Sequence, residues 1–393
     1  MRLAWFRPSP LREQPPAAGD PLDTTAQLID ALRAHHTIDL INEARAHDMV
    51  WQRLRDPFDL SVYELADIPG CQFIWPYLVR YPGLTLLHNS TLAASRAAAL
   101  YAERRAQDLQ AERVFDGRGT CRMLRVPLLA SALVAVHHPA LAATLADEYP
   151  EARIRSFTGG FRIGPDAVPG TGTPAHRDGM PGVVTFGCVA PNAHHRGLIE
   201  RAAQRARDAG AILHLLLEDD SRRVVEESDV VIALHWPPGG PFLADAVAAL
   251  ATGRVAVVLD TLDTADWPSL DPRSWQRRED GGSAAPVCIA LDLLDEEHSL
   301  ALAMRRLAAD TALRAQLSAP AQGWWREHFT VARAAESFEP LLEEARQEIS
   351  TRPRHGPVPD RPADWPSHLT ADGTEAARAT LEEFGLTVDV LSA

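Results

Sequence analysis

The residues best placed to do chemistry follow directly on short apolar runs. His88 comes after Leu84 to Leu87, and Glu218-Asp219-Asp220 after Ile212 to Leu217. The run Val230 to Leu234 gives way to Pro237-Pro238-Gly239-Gly240-Pro241, with Phe242 just beyond. A His at a strand's carboxyl end can hydrogen-bond a ligand or act as a base when it faces a cleft; otherwise it is an exposed loop residue. The acidic trio can hold hydroxyl groups or form a solvated turn. The Pro/Gly loop opens a helix whose first amides, from Gly240 to Leu243, can meet an anion. Three His pairs (35–36, 137–138, 194–195) suggest a metal, but neighbours on a strand point to opposite faces and cannot share one ion.

The elements that would position these residues alternate in type. From Ser228 to Asp260 the chain reads strand, loop, helix, strand, with Gly253 stopping the helix. Short runs rich in β-branched residues around a helical pattern predict a βαβ unit of a buried parallel sheet. Similar units recur from Leu3 to Phe157, including one long helix from Ala93 to Glu112, and from Val183 to Leu291. Glu64 falls in a polar loop that follows the strand Leu60 to Tyr63. The spacing predicts two doubly wound, Rossmann-like domains facing across a cleft. One spans 1–163, a Gly/Pro-dense linker 164–182, the second 183–330, and helices with a Pro-rich tail 331–393 return towards the first. The GTGTP in the linker has no strand before it and no helix after it, so it is not a dinucleotide fingerprint. Trp236 and Trp324-Trp325 read as core or interdomain packing.

Composition narrows the class further. At 393 residues, two domains are the default. A net charge of -14 argues against nucleic acid as a partner. Every basic residue is Arg, which excludes a Schiff-base lysine and the lysine of a P-loop. Any anion site must use Arg, backbone amides or helix N-termini. The 4 cysteines are widely spaced, as reduced thiols of a cytoplasmic protein would be. No apolar stretch is long enough to span a bilayer, although peripheral membrane contact or a protein partner stays open.

The segments SDVVIALHWP, DAVAALATGRVAVV and LALAMRRLAADTALRAQLSAPAQGWWREHFTVARAAESFEPLL resemble, in order, the second half of family-4 glycosyltransferases of GT-B fold. MRLAWFRPSP to HNSTLAASRA is similar to the acceptor domain of some bacterial members. The chain thus looks like a divergent bacterial member, and the resemblance implies sugar transfer from a nucleotide-sugar to a carbohydrate, lipid or protein acceptor. It also implies retention of configuration and needs no metal or other cofactor, and no Asp-x-Asp pair occurs in the chain. His88 stands where relatives often place a functional His. Arg196 is the remaining phosphate partner in the loop CVAPNAHHRG, and Gly19 and Asp23 fall in the first turn that approaches the phosphates, or merely cap a helix. Glu218 becomes a candidate for the ribose, and Gly239, Gly240 and Phe242 for the donor loop. The two carboxylates that hold sugar and ribose in relatives fall at Gly240 and Ala248, with Asp245 off their face. The segment EDDSRRVVEESD leaves room for one short helix where relatives read the base. A catalytically degenerate GT-B protein acting as a binding or scaffolding partner is therefore the alternative.

Overall fold

The computed structural model describes residues 1–8, 21–117, 122–157, 182–189, 191–236, 243–278, 284–350, 362 and 364–369. Two six-stranded sheets lie among them. The first contains β1 (Arg2–Phe6), β2 (Thr37–Ile41), β3 (Leu60–Leu65), β4 (Leu84–Leu87), β5 (Leu133–Val136) and β6 (Ile154–Ser156), in the order β2-β1-β3-β4-β5-β6. The second contains β7 (Val184–Val189), β8 (Leu213–Glu218), β9 (Val230–Ala233), β10 (Val255–Leu259), β11 (Ser269–Leu270) and β12 (Cys288–Leu291), in the order β11-β12-β10-β9-β7-β8. All strand pairs within the two sheets are parallel. In each sheet the opening strand has its successor on one side and the third strand on the other. The direction of winding therefore reverses between β1 and β3, and again between β7 and β9. A doubly wound sheet opens a crevice at such a reversal, outside the carboxyl ends of its strands.

The two-residue period of a strand explains why these runs are apolar throughout. On β1, Leu3 and Trp5 pack on one face of the sheet while Ala4 and Phe6 pack on the other. On β9 and β10, Val230, Ile232, Val255, Val257 and Leu259 share one face, and Val231, Ala233, Ala256 and Val258 the opposite one. Helices cover both faces, so β3, β4, β5, β9 and β10 are buried along their whole length. The helix Ala244–Thr252 ends at Gly253, whose φ of 72° is the left-handed conformation that glycine adopts without steric cost. This is the stop expected from the sequence.

One covering element comes from far away in the chain. The helix Val331–Ser350 lays Phe338, Leu341, Leu342 and Ala345 on the Leu3/Trp5 face of the first sheet. Phe338 meets Trp5 and Phe157 at ring-centroid distances of 5.8 and 5.1 Å. Around this apolar stripe, Glu339 pairs with His36 at 2.8 Å, Glu344 with Arg155 at 2.9 Å, and Glu348 with Arg153.

Three local expectations change. The single helix expected over Ala93 to Glu112 is two, Ala93–Ala102 and Ala106–Asp116, with Arg104 at φ 58° between them. The break lets Leu100 and Leu109 pack together with Met123; along one straight helix they would stand about 13 Å apart. Helices Ile74–Arg80 and Arg125–Ala130, too short for a periodic signal, join the cover of the first sheet. Glu64 is part of β3, and not of a polar loop. Most of the expected linker, the Pro-rich tail and the helix expected near Thr374 to Phe384 lie outside the described residues. No helix among those described is long and apolar enough to cross a membrane.

Gly187 on β7 marks a close approach: a Cβ there would lie 2.1 Å from Ser228 Oγ and 2.7 Å from Val224 Cγ1. Gly187→Ala is expected to cost about 1–3 kcal/mol, the usual range for overpacking. Adding Ser228→Ala should restore part of the loss. An unchanged urea midpoint for the single variant would show that the contact is not close.

Candidate functional site

At the reversal of the first sheet the register sets Phe6 opposite Tyr63, which brings the next residues, Arg7 and Glu64, together. Glu64 and His88 have no exposed side-chain surface. His88 Nε2 is 3.0 Å from Glu64 Oε1, and its Nδ1 is 3.0 Å from His137 Nε2. The other carboxylate oxygen accepts from Trp5 Nε1 at 3.4 Å and lies 3.5 Å from Arg7 Nε. A carboxylate accepts only, so His88 donates from Nε2 to Glu64, and between His88 Nδ1 and His137 Nε2 one ring donates and the other accepts. The two rings stack with centroids 5.1 Å apart, and His137 also packs on Phe157 at 4.6 Å. Burial holds the His137 imidazole well below its ordinary pKa, with the charges of His88 and His138 adding to the effect.

At the reversal of the second sheet lies a cavity of about 180 Å³. Cys188 and Val189 from β7, Asn192 and His195 from the start of the helix Ala193–Asp208, His235 just past β9, and Asp245 line it. Asn192 caps that helix, its Oδ1 accepting from the His195 amide at 2.8 Å. Asp245 Oδ2 is 4.0 Å from His235 Nε2, and its Oδ1 accepts from Ser221 Oγ at 3.2 Å. Burial raises the Asp245 carboxyl, against the opposing effects of His235 and Ser221. Burial lowers the His235 imidazole, with Asp245 and Asp263 opposing, and also His195, where His194 and His235 add to the lowering. The Cys188 thiol is pushed up to about 12, chiefly by burial, which keeps it protonated and unreactive.

The two carboxyl edges meet. His138, at the end of β5, lies 3.9 Å from Asp263 in the loop after β10. Burial lowers the His138 imidazole while Asp263 and Asp266 pull it upward. His137 thus points into the first half and His138 toward the second, the alternation that prevents the pair from sharing one ion.

These contacts revise several expectations. His88 is not an exposed loop residue, and it has no open face for a ligand: Glu64 and His137 engage its two ring nitrogens. Arg196 is exposed, close enough to Cys188 to pull that thiol's pKa down. Glu218 pairs with the cavity-lining Val189 but does not itself line the cavity, and is held by Arg223 at 2.5 Å on the edge strand, while Asp220 caps the helix Ser221–Glu227. This trio is a capped turn. Trp236 is 52% exposed at the cavity wall, so it is not core, whereas Trp324 packs against Trp267 and Phe329 as expected. Ala248 packs with the apolar face of its helix. Asp23 falls in the helix Pro21–Leu32, while Gly19, Gly239, Gly240 and Phe242 lie outside the described residues. Glu64, His137, His235 and Asp245 were not expected at a site.

Two doubly wound sheets with their carboxyl edges facing define the GT-B fold. The architecture is similar to that of HepE from Anabaena, solved in complex with UDP and glucose, at a TM-score of 0.53 and 13% identity over 87% of this chain and 99% of that one. Sucrose-phosphate synthase from Thermosynechococcus elongatus gives 0.54 and 12%, covering 89% of this chain and 100% of that one. A glycosyltransferase from Rickettsia africae gives 0.54 and 9%, over 89% and 99%. At these identities the likeness is one of fold, and it is coarser than the family-4 resemblance. No protein-family model and no curated protein matches the chain.

The buried His137 gives the first half a pH dependence. Its folded-state pKa lies below the unfolded value of 6.5, so the folded state binds fewer protons in the window between them. Stability is full above about pH 6.5 and is lost as pH falls through that window. His137→Gln keeps a hydrogen-bonding amide for His88 and removes the titration. Its melting temperature should fall less steeply than the parent's from about pH 6.5 to pH 5. Parallel curves would rule out this role.

Proposed function

We propose that the chain is a glycosyltransferase that moves a sugar from a nucleotide-sugar to an acceptor, with the donor on the carboxyl edge of the second sheet and the acceptor approaching from the first. The observation that carries this reading is the cavity at the β7/β9 reversal, walled by the amino end of the 16-residue helix Ala193–Asp208 and by His235 and Asp245. A ligand that leaves as a diphosphate gains most from donors already aimed at the charge it develops. The helix amino end, with its partial positive charge, is such a group, and to it we add Arg196, exposed on the same helix and near Cys188. Support also comes from HepE of the same fold, solved with UDP-glucose.

The reaction we propose is retaining and independent of a metal, with charge stabilised by Arg196, amides and imidazoles. Asp245 supplies a carboxylate for donor hydroxyls, one turn away from the positions at which relatives carry theirs. His88 is then a positioning residue that ties Glu64 to His137, and not a group that touches the sugar. The two sheets correspond to an acceptor-side and a donor-side domain.

A thermal-shift screen of UDP-, GDP- and ADP-sugars tests the reading. The protein should be stabilised by one nucleotide series in a concentration-dependent way. Arg196→Ala should weaken that ligand about tenfold, the effect of roughly 1.4 kcal/mol, with little change in the melting temperature of the free protein. No shift with any nucleotide-sugar at millimolar concentration would sink the donor site and favour the catalytically degenerate alternative.

A further inference from the structure

Arginine is the chain's one permanent side-chain cation, and Arg196 is exposed rather than part of the cavity wall. Among the described residues that line the cavity, the groups able to carry positive charge are His195 and His235. They reach it from two elements, the helix after β7 and the end of β9, on either side of the reversal. We propose that these two imidazoles hold the diphosphate of the donor and take up a proton as it enters, so that donor binding is coupled to protonation. This rests on the donor-site reading above.

The volume suits the assignment. About 180 Å³ is below the roughly 300–1,000 Å³ of a typical small-molecule site, and it offers room for a diphosphate while sugar and nucleoside extend outward. The charges around the imidazoles set the sign. On β7, Cys188 stays protonated and neutral, and the helix that follows carries His194 and Arg196. Asp245 faces His235 from the helix Ala244–Thr252, and Asp263 acts on it from the loop after β10. Glu296, in the helix after β12, is near His194. Burial outweighs Asp245 and Asp263 and holds His235 below its ordinary pKa, and it lowers His195 likewise. A diphosphate adds negative charge within the same walls, which favours the imidazolium form of both.

Calorimetric titration of the full chain with UDP-glucose, whose phosphates are both esterified and do not titrate near neutrality, reads the coupling directly. Titrations at one pH in buffers of different ionisation enthalpy give the number of protons taken up. We expect net uptake approaching one proton per donor near pH 7, and affinity that rises by up to about tenfold per pH unit on acidification. His235→Asn and His195→Asn should each reduce the uptake. The proton count on the unaltered protein decides the matter even if a variant fails to fold. UDP-glucose binding without proton uptake and with flat affinity would overturn the coupling and leave the donor site standing. No binding of UDP-glucose, or of a GDP- or ADP-sugar titrated in the same way, at any pH from about 6 to 8 would overturn both.

Discussion

A parallel sheet covered by helices on both faces has one place to put a polar side chain, the ends of its strands. Every other strand position is enclosed by apolar neighbours, where an unpaired charge or hydrogen-bonding group costs several kcal/mol. The charged groups of both sites follow that constraint, and Thr85, buried within β4, is tolerated because its hydroxyl accepts from Ser131. Arg7, Glu64, His88 and His137 stand at the carboxyl ends of β1, β3, β4 and β5, and His235 just beyond β9. The reversal of winding then selects which ends converge. The first sheet seals its cluster until Glu64 and His88 have no exposed surface. The second leaves a cavity, with His235 still 33% exposed beside Asp245. The same topology gives one half a buried link and the other half an opening.

Most of the fold was legible in the sequence because its signals are local. Val230 to Leu234, the helix stopped by Gly253, and Val255 to Leu259 announce their βαβ unit through apolar runs and a left-handed stop. The failures occurred where tertiary packing overrides local pattern. Nothing between Ala93 and Glu112 marks a break, since the turn at Arg104 exists to bring Leu100 onto Leu109 and Met123. The helices Ile74–Arg80 and Arg125–Ala130 are shorter than the window over which a helical period can be read.

The candidate site was legible in position and not in composition. The carboxyl edge of the second sheet is where Pro237 to Pro241 pointed, yet the groups found there are His195, His235 and Asp245. Asp245 has no counterpart in the resemblance, because it lies off the helix face on which relatives carry their carboxylates. One usable signal was present. A histidine follows the apolar run at Leu84 to Leu87, at Leu133 to Val136 and at Val230 to Leu234, and all three occupy the carboxyl edge of a sheet. Glu64 offered a second, as a lone acid at the end of a run that is buried throughout. What no sequence pattern supplies is depth. Whether a histidine past a strand opens to a cavity or is enclosed, as His88 is, depends on neighbours brought in from β1, β3 and β5.

The helix Val331–Ser350 covers one face of a sheet whose first strand begins at Arg2. During synthesis the ribosome therefore makes the whole second sheet before it delivers the side chains that complete the first. Leu3, Trp5 and Leu86 wait for Phe338 and Leu342. At about 5–20 residues per second, that wait lasts roughly 15 to 70 seconds. The nascent first half thus keeps one apolar face of its sheet uncovered throughout, and the second half, whose cover is contiguous with its strands, is the part able to close first.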